Sequence, residues 1–332
     1  MWRLPFRRAT PVPSIRMKLY LIKRLVTFIA TLVCASIVIF LVLSILPGNA
    51  AEVMLGPTAT PEAVAALTHK LGLDRPVADR YFDWVGGMLG GDFGTSYSYD
   101  TPVSDILADA LQVTVPLTLL AMVINVAVGL SLGIFAAARH NKLGDVVAMA
   151  ISQLGIAIPN FWLAILLVIV FAVGLGWLPA GGFPGWEDDF WDAIGALILP
   201  AISLAGLQAA ILARTTRSAV LEVAREDFVR TARAKGLSRR ATLWRHVLRN
   251  AMIPIITIVG MQFANLFVLA IGVEPVFSLP GLGQLILHSI ANRDVQVVQD
   301  VVMMLVALVL AVNLVVDLLY ALIDPRLQGR RA

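Results

Sequence analysis

Cysteine occurs once in the 332 residues, as Cys34, so the chain can neither close a disulfide within itself nor build a metal cluster on thiolates. Charge is also scarce. Asp, Glu, Lys and Arg make up 14% of the residues, against about a quarter in a typical soluble domain. No Gly-Lys dipeptide exists, which removes the Gly-x-x-x-x-Gly-Lys-Ser/Thr phosphate loop and ATP hydrolysis by that route. Histidine is limited to His69, His140, His246 and His288, all outside the apolar runs. What fills the deficit is apolar: 58% of residues are hydrophobic and the mean hydropathy is +0.83. The sequence therefore reads as an all-α integral membrane protein, in which lipid burial of helices and then their packing dominate the energetics.

A hydrocarbon core of about 30 Å needs roughly 20 apolar residues as helix. Six runs qualify: Leu25–Leu46, Thr114–Ala138, Val146–Val173, Leu197–Leu212, Ile255–Val273 and Val301–Ile323. The third is interrupted by Pro159-Asn160 and reads as one kinked helix or as two short helices with a re-entrant turn. The single kinked helix is preferred, because neighbours in a membrane can satisfy the carbonyl that a proline frees. Lys and Arg divide 22 to 4 between the two alternating sets of extramembrane segments. By the positive-inside rule this puts both termini and the segment 213–253 in the cytoplasm. The same distribution accounts for the net charge of +4 without a nucleic-acid partner. The basic N-terminus, apolar run and Gly48-Asn49-Ala50 resemble a signal peptide, but the run exceeds the roughly 7–15 residues of such a core and is expected to stay as an anchor.

The resulting plan is a cytoplasmic segment 1–24, a first span 25–46, an extracytoplasmic segment 48–113, a core 114–323 and a cytoplasmic tail 324–332. Within 48–113, Thr60-Pro61 predicts a helix start and Gly72 its end, with a second helix from Arg75 to Met88 and a glycine-rich turn ending in Asp92-Phe-Gly-Thr-Ser96. This small helical segment either caps the helix ends or docks a partner. Trp177, Trp186 and Trp191 read as an interfacial belt.

The basic stretch from Asp227 to Pro254 lies between two apolar spans, and topology explains its charge. It does not explain the small residues Thr231, Ala232 and Ala234, or the break at Gly236, where a helix is expected to end in a left-handed turn. Ser238 can cap a following helix. On that helix Leu243, Trp244, Val247 and Leu248 form one stripe, opposite Thr242, Arg245 and Arg249. A small-residue helix end with an exposed turn suits insertion into a groove of another protein, while a basic helix lying on anionic lipid is the plainer reading.

Polar residues inside the runs are few. Gln262 and Asn265 share a face at i and i+3 and, with Asn125, are the candidate pore-lining groups. Asp317 lies near the cytoplasmic end of its run, within reach of a cytoplasmic Arg, and reads as half of a structural ion pair. Gly129-Leu-Ser-Leu-Gly133 matches the Gly-x-Ser-x-Gly of hydrolases, but it lies mid-span rather than at a strand–turn–helix elbow. The same residues fit Gly-x-x-x-Gly helix packing. Neither a catalytic nor a metal site is expected.

Arg230-Thr-Ala-Arg-Ala-Lys-Gly236 resembles the EAA loop of ABC-importer membrane subunits, in the variant of the dipeptide/oligopeptide/nickel permease family. The first two positions depart from Glu-Ala-Ala. Leu71-Gly-Leu-Asp-Arg-Pro-Val77, Gly91-Asp-Phe-Gly-Thr-Ser96, Ile158-Pro-Asn-Phe-Trp162, Leu175-Gly-Trp-Leu-Pro-Ala180 and Val276-Phe-Ser-Leu-Pro-Gly-Leu-Gly283 resemble that family too. The resemblance covers the chain from about Met17. It implies a six-span, non-catalytic subunit of the bacterial inner membrane that pairs with a homologous second permease. Two cytoplasmic ATPases holding ATP and Mg, and an extracytoplasmic solute-binding protein, would complete the importer, with no cofactor on this chain. The loop 218–252 would then carry the coupling contact, through Arg230, Thr231, Ala232, Arg233, Ala234, Lys235, Gly236 and Leu237. A stand-alone secondary transporter is the alternative. Such proteins often show internal repeats, of which this sequence has no sign. The substrate is not legible beyond peptides, nickel complexes or related small solutes.

Overall fold

The computed structural model describes residues 14–45, 50–56 and 58–323. Residues 1–13, 46–49 and 57 and the tail from Asp324 lie outside them. The described residues contain no β-strand, only an isolated bridge between Thr95 and Pro102. The chain begins with α1 (Ser14–Ile45), then three short helices, α2 (Ala50–Leu55), α3 (Pro61–Lys70) and α4 (Val77–Gly90). There follow α5 (Val103–Ala138), α6 (Leu143–Ala157), α7 (Asn160–Leu167, continued by a π-helical stretch Val168–Gly174) and α8 (Phe190–Val223). The remainder is α9 (Asp227–Ala234), α10 (Arg239–Thr242), a π turn Leu243–Val247, α11 (Leu248–Val273), a 3₁₀ turn Glu274–Phe277, α12 (Leu282–Ala291) and α13 (Val295–Ile323).

Local chemistry sets the helix ends. Thr60 Oγ1 accepts from the Ala63 amide at 3.3 Å and opens α3, as its sequence predicts. Asp189 Oδ1 accepts from the amides of Trp191 and Asp192 and starts α8 seven residues before the apolar run at Leu197. α5 likewise starts at Val103 rather than Thr114, so the boundary at 113/114 falls inside a helix. Apolar counting finds only the lipid-buried part of a helix, and at 1.5 Å per residue the 36 residues of α5 reach about 54 Å.

Five helices are single apolar spans, and α6 with α7 forms a bent pair. The bend is 102°, far sharper than the single kinked helix expected from the sequence. Pro159 drives it: the ring disfavours helical backbone at the preceding residue, and Ile158 is extended (φ −89°, ψ 120°). The pair still crosses as one broken span, because it starts beside Arg217 at the α9 end and the chain that follows it reaches the opposite end, where the Gly182 amide donates to the Phe277 carbonyl at 2.8 Å. Asp145 meets Arg217, Gln153 meets Arg214, and a Cβ on Gly155 would lie 3.1 Å from Ala210. Beyond the bend, Leu163 packs where a Cβ on Gly206 would sit. With this broken span counted once, six crossings result. α1 and α13 are also antiparallel, with Arg24 2.9 Å from Asp317 and Phe40 packed beside Met303. The start of α1 and the end of α13 therefore lie at the same end of the bundle, and Asp317 has the arginine partner its position suggested.

α5, α8 and α11 make the centre, with Leu117, Leu197, Leu204 and Leu266 fully buried between them. α1 is peripheral and turns Leu25, Ile29, Val33 and Val42 outward, as a lipid-facing helix does. Gly129 and Gly133 of α5 face α8, where Cβ atoms would come within 2.8 Å of Leu212 and 2.6 Å of Thr216. Ser131 points away from that contact. The Gly-x-Ser-x-Gly is thus a close helix contact.

Candidate functional site

At the α9 end, α8 extends beyond the apolar run that ends at Leu212. It stops at Val223, turns through Ala224–Glu226, and α9 begins at Asp227. Val229 and Ala232 of α9 are buried. Val229 joins a cluster with Val220 of α8 and Val247, Leu248 and Ala251 at the start of α11. A short helix is thereby mounted across two long ones. Its C-terminus is a Schellman turn: Leu237 N–H donates to Ala232 O at 3.3 Å, Gly236 N–H to Arg233 O at 2.9 Å, and Gly236 has φ +89°. Ser238 Oγ then accepts from the Ala241 amide at 3.3 Å and opens α10, as expected.

Of the eight residues expected to form a partner contact, Arg230, Thr231, Arg233, Ala234, Lys235 and Gly236 are exposed and Leu237 is half-buried. Ala232 faces inward. The predicted stripe after Ser238 is shifted: Thr242 is fully buried and Trp244 is 60% exposed. The π turn Leu243–Val247 is the reason, since its i to i+5 spacing puts Thr242 and Val247 on one face.

Beside α9 lies a clamp that the sequence reading missed. Asp145, 3% exposed, takes Arg217 in two parallel bonds, Nε to Oδ1 at 2.6 Å and the terminal nitrogen to Oδ2 at 2.7 Å. The Asn141 amide adds a third bond at 3.0 Å. This joins the α5–α6 turn to the end of α8. Opposite charges at the adjoining ends of two spans were the available signal.

Midway along the bundle, Asn125 donates to Gln262 Oε1 at 3.0 Å, and Gln262 donates to the Gln208 carbonyl at 2.9 Å. Two of the candidate pore-lining residues thus tie α5, α11 and α8 together. Asn265 is not with them. It is exposed on the other face of α11, between Met261 and Val268, so the shared face inferred from i, i+3 spacing does not hold.

The α12 end carries the second missed feature. Glu274 is fully buried and has no basic partner among the described residues. Thr114 Oγ donates to Oε1 at 2.6 Å and the Gly283 amide to Oε2 at 2.6 Å, while the Gln284 amide donates as well. Thr114 Oγ in turn accepts from the Leu282 amide at 2.9 Å. A side chain at Gly281 would overlap the carboxyl group, and a Cβ at Gly283 would lie 2.5 Å from the backbone of Ile271. The Pro-Gly-Leu-Gly run is therefore the shell of this carboxyl group. Beside it the segment 91–102 docks on the start of α13: Ser96 Oγ donates to Asp294, the residue before that helix, at 2.5 Å, and Gln296 Nε2 donates to the Phe93 carbonyl at 2.9 Å, while Trp84 Nε1 of α4 donates to Asp300 at 2.6 Å. Those bonds make the glycine-rich turn a packed cap. Trp177 and Trp191 remain exposed, whereas Trp186 is half-buried and donates to the Gln112 carbonyl at 2.9 Å.

Comparison with known proteins agrees with this architecture. The family model described as "Binding-protein-dependent transport system inner membrane component" matches residues 129–329, and its N-terminal companion matches residues 17–118. A putative peptide transport system permease protein of Brucella abortus (strain 2308) is 39% identical over 308 residues, covering 93% of this chain and 98% of that protein. The dipeptide transport system permease protein DppB of Alkalihalophilus pseudofirmus is 37% identical over 329 residues, with 93% and 99% covered. The glutathione transport system permease protein GsiC of Salmonella choleraesuis is 40% identical over 309 residues, with 93% and 98% covered. Among solved structures, the inward-facing MetNI methionine ABC transporter superposes with a TM-score of 0.56 at 18% identity, over 66% of this chain and 96% of that one. The chain belongs to the family of binding-protein-dependent transport system inner membrane components and is a multi-pass permease subunit of an ABC importer.

Proposed function

We propose that this chain forms half of a translocation path for peptides or related small solutes, completed by a homologous second permease. Two cytoplasmic ATPases carrying ATP and Mg drive it, and an extracytoplasmic binding protein delivers the cargo. The observation that carries this reading is the mounting of α9. Its buried Val229 and Ala232 fix it to the protein, while Arg230, Thr231, Arg233, Ala234, Lys235 and Gly236 present a small, basic, exposed surface. Such a knob suits a groove on an ATPase. Because Val229 packs against residues of both α8 and α11, displacement of α9 moves two central helices together as a rigid body. The names of the relatives support peptide cargo.

The orientation that fits is cytoplasmic for the α9 end, which the positive-inside rule favours and which would put both termini there. Asn265, an amide on an otherwise apolar exposed stripe, favours the Met261–Val268 face of α11 as the side turned to the second permease rather than to lipid.

Co-expression of the chain with its sister permease and ATPases tests the coupling reading. Thr231→Trp and Ala234→Trp are expected to lower energised uptake at least tenfold, with reduced recovery of ATPase on the purified complex and unchanged membrane levels of the chain. Full uptake with either variant would sink the assignment. Gradient-driven uptake by this chain alone in proteoliposomes would favour a secondary transporter instead.

A further inference from the structure

A cavity of about 240 Å³ lies at the α12 end, off the bundle centre, enclosed by α1, α4, the glycine-rich turn and the start of α13. Its polar lining includes groups with no side-chain partner facing the open space. Gln299 is 6% exposed, yet its carboxamide has no hydrogen-bond partner among the described residues. Its carboxamide opens into the cavity, where water or a ligand can meet it.

Arg80 is half-buried and lines the same space. It makes no ion pair among the described residues, reaching only the Leu73 carbonyl at 3.4 Å and the Phe40 ring at 5.9 Å. Its neighbour Arg75 is different, being neutralised by Asp83 at 2.7 Å. Tyr97 presents an unpartnered hydroxyl, and burial pushes its phenol pKa up, keeping it a donor. On the anionic side, Asp92 uses Oδ1 to accept the Gly94 amide at 2.9 Å and leaves its other oxygen open. Phe40 and Trp84 supply an apolar wall, stacked with ring centroids 6.0 Å apart.

One uncompensated cation, one open carboxylate oxygen, an unpaired amide and an aromatic wall make a receptor for a small molecule with both charges. The volume is below the roughly 300 Å³ at which drug-sized pockets begin. We propose that this cavity binds a small zwitterion, a free α-amino acid or dipeptide, with its carboxylate on Arg80, Tyr97 and Gln299 and its ammonium on Asp92. The site lies apart from the Asn125–Gln262 network and from α9, so it is separate from the translocation and coupling surfaces.

The test is titration calorimetry on the full-length chain in lipid nanodiscs, with alanine and glycylglycine as zwitterions and acetate, ethylamine and N-acetylalanine as single-charge controls. The zwitterions are expected to bind at least tenfold more tightly than any control. Arg80→Gln should lower zwitterion affinity at least tenfold. Asp92→Asn, a change at an exposed residue that leaves the Gly94 acceptor in place, should do the same without altering the weak binding of N-acetylalanine. Absence of zwitterion binding up to about 10 mM would overturn the proposal, since that limit leaves under about 3 kcal/mol of affinity. Equal affinity for acetate and alanine, or unchanged affinity in the Asp92→Asn protein, would overturn it as well.

Discussion

Replacing Glu274 by alanine should be among the most damaging single changes at the α12 end, and replacing it by glutamine should be nearly silent. The carboxyl group is fully buried and receives Thr114 Oγ and the amides of Gly283 and Gln284. Alanine strands these donors in a dry site. Each orphan costs about 1–3 kcal/mol, while the desolvation of a buried carboxyl group is relieved, leaving a net loss of about 3 kcal/mol. Glutamine keeps one oxygen for the two amides. Its Nε2 can donate to Thr114 Oγ, whose hydroxyl hydrogen is free to rotate away, so the cost stays within about 1 kcal/mol. At about 2 °C per kcal/mol for a chain of this length, thermal unfolding of the purified protein in detergent should fall by about 6 °C for Glu274→Ala and by about 2 °C or less for Glu274→Gln. Thr114→Val should fall between them, because it removes one donor to the carboxyl group and the acceptor for Leu282. If Glu274→Gln unfolds as early as Glu274→Ala, negative charge holds the turn and hydrogen bonding does not. If Glu274→Ala unfolds like the wild type, the site is not dry.

Three further outcomes are expected. Asp145→Asn and Arg217→Gln should each cost about 2–3 kcal/mol in chemical unfolding, somewhat less than for fully buried pairs because the Arg217 side chain is 24% exposed. The double variant should show at least about 1 kcal/mol of coupling, and additivity would remove the clamp. Gly133→Val, which forces a side chain into Thr216 and the Ala213 carbonyl, should cost about 2 kcal/mol or more, whereas Ser131→Ala should leave stability and uptake unchanged; lost uptake in Ser131→Ala would reopen the hydrolase motif. Near the α3–α4 turn, the His69 hydrogen bond holds the Asp74 carboxyl below the usual range. A carboxylate with a lowered folded pKa stabilises above its unfolded value of about 4, and loses that contribution as pH falls through the lowered one. Hydrogen exchange at Leu71–Leu73 should therefore accelerate only below about pH 4, and a His69→Ala variant should shift that onset upward.

Composition and periodicity made the fold legible because bilayer-spanning helices obey a simple rule: about 20 apolar residues, with basic residues clustered on one side. The spans, the Thr60 and Ser238 caps and the Gly236 turn follow from single residue types acting locally, and all are present. What failed depended on three dimensions. Thr242 and Trp244 exchanged faces because a π turn has no signature in an apolar stripe. Asn265 separated from Gln262 because i, i+3 spacing tolerates residues on either side of a packed helix edge. Glu274 was overlooked because it lies just past the apolar run at Val273, where an acid looks solvated, and only the fold brings Thr114 and the glycine shell around it.

The bonded polar residues fall at three depths of the bundle, and their partners are informative together. Asp145–Arg217 joins α6 to α8 beside α9, Asn125–Gln262–Gln208 joins α5, α11 and α8 midway, and Thr114–Glu274 joins α5 to α11 below α12. In hydrocarbon, apolar faces slide past one another at little cost, because lipid tails solvate them as well as a neighbouring helix does. Directional bonds do not slide. Tied together midway and held by a further bond towards each end, α5, α8 and α11 resist shear, so under the proposed coupling role a push at Val229 and Ala232 would travel to the α12 cap as rotation of one body. Uptake should then be more sensitive than ATPase binding to Gln262→Leu, which unpins the middle while leaving α9 intact. If Gln262→Leu supports full uptake in the assembled importer, rigid linkage of the three helices is not how the motion travels.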